Sequence, residues 1–253
     1  MLRAHRWRNV QNSARFLAEH LQADQRVLDV GCGPGTLTID LARHVPDGSV
    51  TGLDVAPAAI EAAQRAERRG VENVSFRVGD VYHLDFADAH FDVVFAHQLL
   101  QHLSDPVAAL REMGRVLRPG GLLAVRDADY GAFTWSPEDE RLSAWRALYQ
   151  RLARANRGEP NAGRYLHQWV RRAGFSLEAV SASTWVYWRA DERRWWAEMW
   201  AERVRDSAFA EQCLADGLAG PAELEQIAAA FLAWAEEEDG CFLVPSTEVL
   251  ARR

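Results

Sequence analysis

Cysteine is scarce in this chain. The 253 residues hold three, Cys32, Cys213 and Cys241, with no Cys-x-x-Cys pair. An odd, widely spaced set gives neither a disulfide framework nor a zinc or other metal site, and it suits a reducing, cytoplasmic setting. No apolar run approaches the roughly 20 residues needed to cross a bilayer, so no membrane role is expected. Met1 to Arg8 is polar and basic with no apolar stretch behind it, which does not read as a secretory leader. Positive charge is also in deficit: the formal net charge is −7. Gripping a phosphate backbone rests on a basic surface, so a nucleic-acid partner is not expected either. Arginines do gather at Arg3, Arg6, Arg8 and Arg15, and again at Arg193, Arg194, Arg203 and Arg205. At helical spacing these read as solvated faces.

What is present is ordinary globular material, 48% hydrophobic and 26% charged, enough for a substantial core. Residues 5–22 carry Val10, Ala14, Leu17 and Leu21 at helical spacing. From there short β-branched runs alternate with helical patterns. Strands are expected at 26–30, 49–54, 73–78, 91–96 and 122–127, and helices at 36–44, 57–69 (closed by Gly70) and 105–117. Pro119 to Gly121 reads as a turn. Strands and helices that alternate in this way imply right-handed crossovers and a parallel sheet, with ligands beyond the carboxyl ends of its strands.

After residue 134 the character changes, and nine of the ten tryptophans lie there. Helical patterns fit 138–156, 162–173, 191–215 and 221–238, and strands fit 175–188 and 241–251. The last two strands are expected to close the sheet as an antiparallel hairpin. With no linker or repeat in view, residues 1–253 read as one domain. Its core is 1–132, and 133–253 supplies the remaining strands and a helical cap.

Three strand ends carry the chemistry. Gly31-Cys32-Gly33-Pro34-Gly35 joins a strand to a helix, where glycines let the backbone turn and approach a ligand closely while the helix presents free N–H groups. Asp54 ends the second strand, 23 residues after Gly31. A carboxylate there can accept both hydrogens of a ribose diol, or it can serve the start of the next helix. Asp80 ends the third strand, where an adenine amino group is within its reach; a turn aspartate is the alternative. The nicotinamide fingerprint Gly-x-Gly-x-x-Gly is broken, because its last position is Thr36.

Val27 to Gly35, Gly52-Leu53-Asp54, Gly79-Asp80, Phe91 to Val94 and Leu117 to Gly121 together resemble the successive motifs of class I S-adenosylmethionine-dependent methyltransferases. The likeness covers about residues 25–127 and is similar to the small-molecule branch that includes ubiquinone and menaquinone biosynthesis enzymes. It implies an α/β, Rossmann-like, seven-stranded, mostly parallel sheet with helices on both faces. It also implies S-adenosylmethionine as cofactor and S-adenosylhomocysteine as product. By this resemblance Gly31, Cys32, Gly33 and Gly35 lie under the methionine end, and Asp29 helps to hold the loop. Asp54 takes the ribose with Val55 on the adenine, Asp80 meets the adenine amino group beside Val81, and His97 and Gln98 lie near the sulfonium. DNA-modifying relatives carry an Asn/Asp-Pro-Pro-Tyr/Phe or Pro-Cys signature after the fourth strand. This chain has Ala96-His97-Gln98-Leu99.

Methyl transfer from a sulfonium is an in-line displacement that needs a base only where the acceptor must lose a proton. His97, His102 and Asp127 are the candidate catalytic residues. Gln98, Asp129, Tyr130, Trp135 and Trp196 are the candidate acceptor contacts, with Trp145, Trp169, Trp195 and Trp200 as further aromatic wall or core. An aromatic cap favours a flat or apolar small molecule. Trp195, Trp196 and Met199 are alternatively candidates for a homodimer face. Two other functions stay open: a cofactor-binding protein that performs another reaction, and methylation of a macromolecule.

Overall fold

The computed structural model describes residues 7–67 and 71–253. Arg3, Arg6, Gly70 and the start of the expected first helix lie outside them. Instead of one helix to residue 22, the chain makes two single turns, α1 (Val10–Ser13) and α2 (Arg15–Ala18). Ala14 leaves helical geometry between them, with φ −141° and ψ 19°. Then follow β1 (Arg26–Val30), α3 (Thr36–Ala42), β2 (Ser49–Asp54), α4 (Pro57–Glu67), β3 (Val74–Val78) and β4 (Phe91–His97). Next come α5 (Pro106–Val116) and β5 (Leu117–Ala128). Asp105 caps α5, its side chain accepting from the Ala108 amide at 2.9 Å, and Pro106 takes the first turn where its missing N–H costs nothing.

The segment Pro119–Gly121, expected as a turn, lies inside β5. Gly120 takes φ +73°, and the pairing with β4 shifts register between Phe91 and Val93. The chain thus passes this point as a bulge rather than a reversal. A short strand not foreseen, β6 (Thr134–Ser136), raises the count among the described residues from seven to eight. The remainder is α6 (Glu140–Ala155), α7 (Leu166–Arg172), β7 (Ser176–Tyr187), α8 (Ala190–Arg205), α9 (Ala208–Ala215), α10 (Pro221–Ala235) and β8 (Cys241–Arg252). The helix expected over 191–215 breaks at Asp206, where φ is −134°, and Ser207 starts α9 by accepting from the Phe209 amide.

The sheet order is β3-β2-β1-β4-β5-β8, with β7 on the other edge of β8. β1 to β5 are parallel, and β8 runs antiparallel to both β5 and β7. β6 continues the line of β5 along β8, pairing with residues 241–243 of that strand. β1 and β4 are buried along nearly their whole length, which explains why they read as continuous apolar runs. One apolar cluster fills one face of the parallel sheet under α3 and α4, and a second fills the other under α5 and α7. A third, rich in tryptophan, joins α6, α8, α9 and α10 to the far ends of β7 and β8. This is the helical cap: α8, α9 and α10 are inserted between β7 and β8, as their position in the sequence implied, while α6 precedes β7.

One row of side chains crosses four strands. His97 of β4 lies opposite Arg126 of β5, Arg126 opposite Glu248 of β8, and Glu248 opposite Ser181 of β7. Directly opposed residues share a face, so these side chains meet. Arg126 is fully buried, and its Nε donates to Glu248 Oε1 at 3.3 Å and its Nη1 to His97 Nε2 at 2.8 Å. Ser181 and Ser183 both donate to the Glu248 carboxylate. Burial lowers the Arg126 pKa to about 10, with Glu248 opposing the shift. Removing the carboxylate would strand a buried cation, which typically costs about 3–5 kcal/mol. Glu248→Leu is therefore expected to lose about that much stability in urea unfolding. The double variant Arg126→Met/Glu248→Leu should recover most of it. Equal stability of Glu248→Leu and the parent would contradict the pairing.

Candidate active site

The loop after β1 is built on left-handed glycines. Gly31 and Gly35 both have φ +76°; a Cβ on Gly31 would lie 2.9 Å from the Leu99 side chain, and one on Gly35 would lie 2.6 Å from the Phe76 ring. Only glycine meets both demands. The amides of Gly31 and Cys32 donate to the Leu53 carbonyl, and the Gly33 amide donates to Asp54 Oδ2 at 2.9 Å. Asp54 Oδ1 accepts from the Ala56 amide, also at 2.9 Å. The β2 carboxylate therefore both faces the glycine loop and starts α4. Beside it Val55 is 72% exposed, a large apolar side chain left open at this edge.

Asp29 lies under the loop, buried, and accepts from Thr38 Oγ1 at 2.6 Å. Burial, helped by the nearby Asp54 charge, pushes its pKa up to about 7. Cys32 is buried among the same groups, and burial drives its thiol pKa far up, which makes it a packing residue rather than a nucleophile. Asp80 is solvent-exposed, with Oδ1 accepting from the Tyr82 amide and Oδ2 lying 3.9 Å from His83 Nδ1. Val81 packs into the core behind it.

Across the carboxyl ends of β4 and β5 lies a cavity of about 750 Å³. Aromatic rings make most of its wall: Trp185 and Tyr187 from β7, Trp195, Trp196 and Trp200 from α8, and Tyr149 from α6. Tyr187 and Trp196 are stacked at 4.4 Å, and Tyr130 and Tyr149 at 3.9 Å. Gln98 and His102 line the side next to the glycine loop. Gln98 has φ +51°, its amide donating to the Arg126 carbonyl, and its side chain accepts from Arg8. Arg8 borders both this cavity and the cleft formed by Asp29, Gly31, Cys32, Thr36 and His97. The two spaces thus share a wall.

The sequence-derived candidates separate in the structure. His102 is solvent-exposed and opens onto the cavity, and the protein around it, with Arg203 and Arg8 adding repulsion, lowers its pKa. His97 is buried in the cleft beside the loop. A guanidinium has only donors, so the 2.8 Å contact with Arg126 fixes His97 Nε2 as an acceptor, and that lone pair is occupied. Asp127 is fully buried and caps the turn at Leu100–His102, accepting from the amides of Leu100 and Gln101 at 3.2 and 3.4 Å. Asp129 makes a bidentate pair with Arg164 at 2.6 and 2.7 Å. Neither aspartate lines the cavity. Tyr130 and Trp196 do, while Trp135 stacks on Phe242 in the cap core. Trp195, Trp196 and Met199, considered for a dimer face, turn inward to the cavity.

The residues that sequence reasoning missed are mainly Trp7, Arg8 and Arg203. Both arginines were assigned to solvated faces, yet they line the cavity. Arg193 was too, but it is buried, with its Nε donating to the Ala235 carbonyl. A signal was available at Trp7, the one tryptophan outside the second half of the chain. It packs edge-on to Trp185 at 5.2 Å and so closes the cavity from the amino-terminal side.

Comparison with known proteins places the chain. Residues 21–174 match the family described as a methyltransferase domain. A protein of Schizosaccharomyces pombe named uncharacterized methyltransferase C1B3.06c is 34% identical over 98% of this chain and 92% of its own length. The O-methyltransferase resE of Aspergillus sclerotiorum is 34% identical over 61% of this chain and 56% of its own length. Among solved structures, the [4+2]-cyclase SpnF has a TM-score of 0.60 and 24% identity, covering 94% of this chain and 79% of its own; at that identity the likeness is one of fold. The chain belongs to the methyltransferase domain family. It is a transferase of the kind that takes its methyl group from S-adenosylmethionine.

Asp127 gives a pH test of the site's frame. Burial raises its folded pKa to about 7, against about 3.9 for an unfolded aspartate. The folded state holds the proton more tightly, so this group's contribution favours folding at low pH and is lost as pH rises from about 4 through 7. Asp127→Asn removes that dependence. Its Tm relative to the parent is expected to rise as pH goes from 5 to 7. A constant difference across that range would contradict the assignment.

Proposed function

We propose that the protein methylates a small, largely apolar or aromatic metabolite held in the aromatic cavity. The observation that carries this reading is the wall shared, through Arg8, by the aromatic cavity and the glycine-loop cleft. The cleft holds only about 20 Å³, so it takes at most the methyl-bearing end of a donor whose adenosine lies outside it along Asp54 and Val55, and that end abuts an acceptor in the first. The cofactor supplies a methyl group already activated on a sulfonium. The chain's own work is therefore to orient, to desolvate and, where needed, to remove a proton.

In this reading Gly31 to Gly35 cradle the methionine end and Asp29 supports the loop from beneath. Asp54 accepts from the ribose hydroxyls and Val55 covers the adenine. Asp80, with Val81 behind it, reads the adenine amino group. Gln98 stands at the shared wall. His102, facing the cavity with its pKa lowered, is the side chain best placed to take a proton from an acceptor that is itself acidic. His97 and Asp127 act through position: one is tied to Arg126, the other caps the turn that carries His102. Tyr130 and Trp196 contact the acceptor. O-methylation is favoured by the partial likeness to an O-methyltransferase. The acidic net charge and the cap favour a small substrate in the cytoplasm over RNA or protein.

The test is turnover. S-adenosylhomocysteine should form with flat aromatic acceptors and not with RNA or protein. Cofactor binding with no turnover across both panels would favour the second reading, in which the bound sulfonium serves another reaction. That reading has a fold-level precedent in the cyclase. Independently, Asp54→Ala is expected to weaken calorimetric binding of S-adenosylhomocysteine at least tenfold, because the ribose loses its acceptor. Unchanged affinity would remove Asp54 from the ribose role.

A further inference from the structure

Arg203 lines the aromatic cavity with a guanidinium whose buried Nε has no partner among the described residues. Buried polar groups are nearly always satisfied, so an unpartnered guanidinium at a cavity wall suits a ligand that brings an acceptor oxygen.

Arg203 projects from α8 one turn after Trp200, its guanidinium 4.7 Å from the Trp200 ring and 5.6 Å from Tyr149. Stacking holds the group in place but does not neutralise it, and among the described residues no carboxylate lies within ion-pair distance of it. The contrast is Arg126, equally close to an aromatic ring yet paired with Glu248. The two acids that line the cavity, Glu202 and Asp206, are solvent-exposed, whereas Arg203 is half-buried. Negative charge is thus welcomed at Arg203 and repelled at the exposed rim. A half-buried guanidinium held between rings has the features that recognise an anionic oxygen, where charge-assisted hydrogen bonds are about twice as strong as neutral ones.

We propose that the acceptor is a flat, largely apolar molecule carrying one anionic oxygen group, a carboxylate or an ionised phenol, and that Arg203 pairs with that group. This rests on the reading of the cavity as the acceptor site. It adds a specificity residue and a charge that the reading alone does not supply.

The experiment is calorimetry on protein saturated with S-adenosylhomocysteine, using 2-naphthoic acid and 9-anthroic acid against their neutral primary amides. At least one acid is expected to bind tenfold or more tightly than its amide. In Arg203→Met the ratio should fall to within about twofold, while Arg203→Lys, which keeps the charge, should retain part of it. Affinity for S-adenosylhomocysteine reports folding of both variants, and Arg203→Gln replaces the methionine variant if that one does not fold. Acids that bind no better than their amides, or do not bind, overturn the inference, as does a preference that survives in Arg203→Met. Failure of the parent protein to bind S-adenosylhomocysteine would instead strike the cofactor reading.

Discussion

A single buried cation organises this molecule. Arg126 sits where the parallel core meets the antiparallel edge, and it touches β4 through His97, β8 through Glu248 and β7 through Ser183. Its guanidinium also lies 4.7 Å from the Trp185 ring. Trp185 in turn donates through Nε1 to the Asn12 carbonyl and packs against Trp7. One charge and its counter-charge thus tie four strands to the amino-terminal segment that closes the cavity. Breaking a buried pair on one side is costly, so the constraint is strict. It also fixes the His97 ring beside the glycine-loop cleft.

Seen from that row, the two halves of the chain have different tasks. The first supplies a loop of left-handed glycines facing a carboxylate, the geometry proposed above to hold the cofactor. The second supplies rings. The cap helices α6 and α8 each bury one face in the aromatic cluster, and the residues at its edge are left to line open space. The cavity is therefore a by-product of how the cap packs. Its polar lining is chiefly His102, Gln98, Arg8 and Arg203, placed among aromatic rings. In such surroundings each charge or hydrogen bond counts for more than it would in solvent.

Much of this was legible in the residues. The apolar runs of β1 and β4 gave the sheet, and the glycine segment gave the left-handed loop that Asp54 faces, because these depend on local backbone demands. The bulge at Gly120 and the strand Thr134–Ser136 were not legible, since pairing with distant strands decides them, and neither was the break at Ala14, in a segment tied to the distant Asp40 and Trp185. The aspartates show the same limit. Asp127 and Asp129 lie at a strand end where a candidate base and a candidate acceptor contact were expected, but Asp127 meets two amides 26 and 27 residues away and Asp129 meets Arg164. Arg8 and Arg203 erred in the opposite direction: helical spacing made them look solvated, and only the fold shows the rings around them.

The central claim is that a methyl donor held by the glycine loop faces the aromatic cavity across Arg8 and Gln98. The most direct measurement is a crystal structure with S-adenosylhomocysteine bound. The account predicts the ribose hydroxyls at Asp54 and the sulfur directed past Gln98 into the aromatic cavity. A cofactor seated elsewhere, or one whose sulfur points away from that cavity, would contradict it.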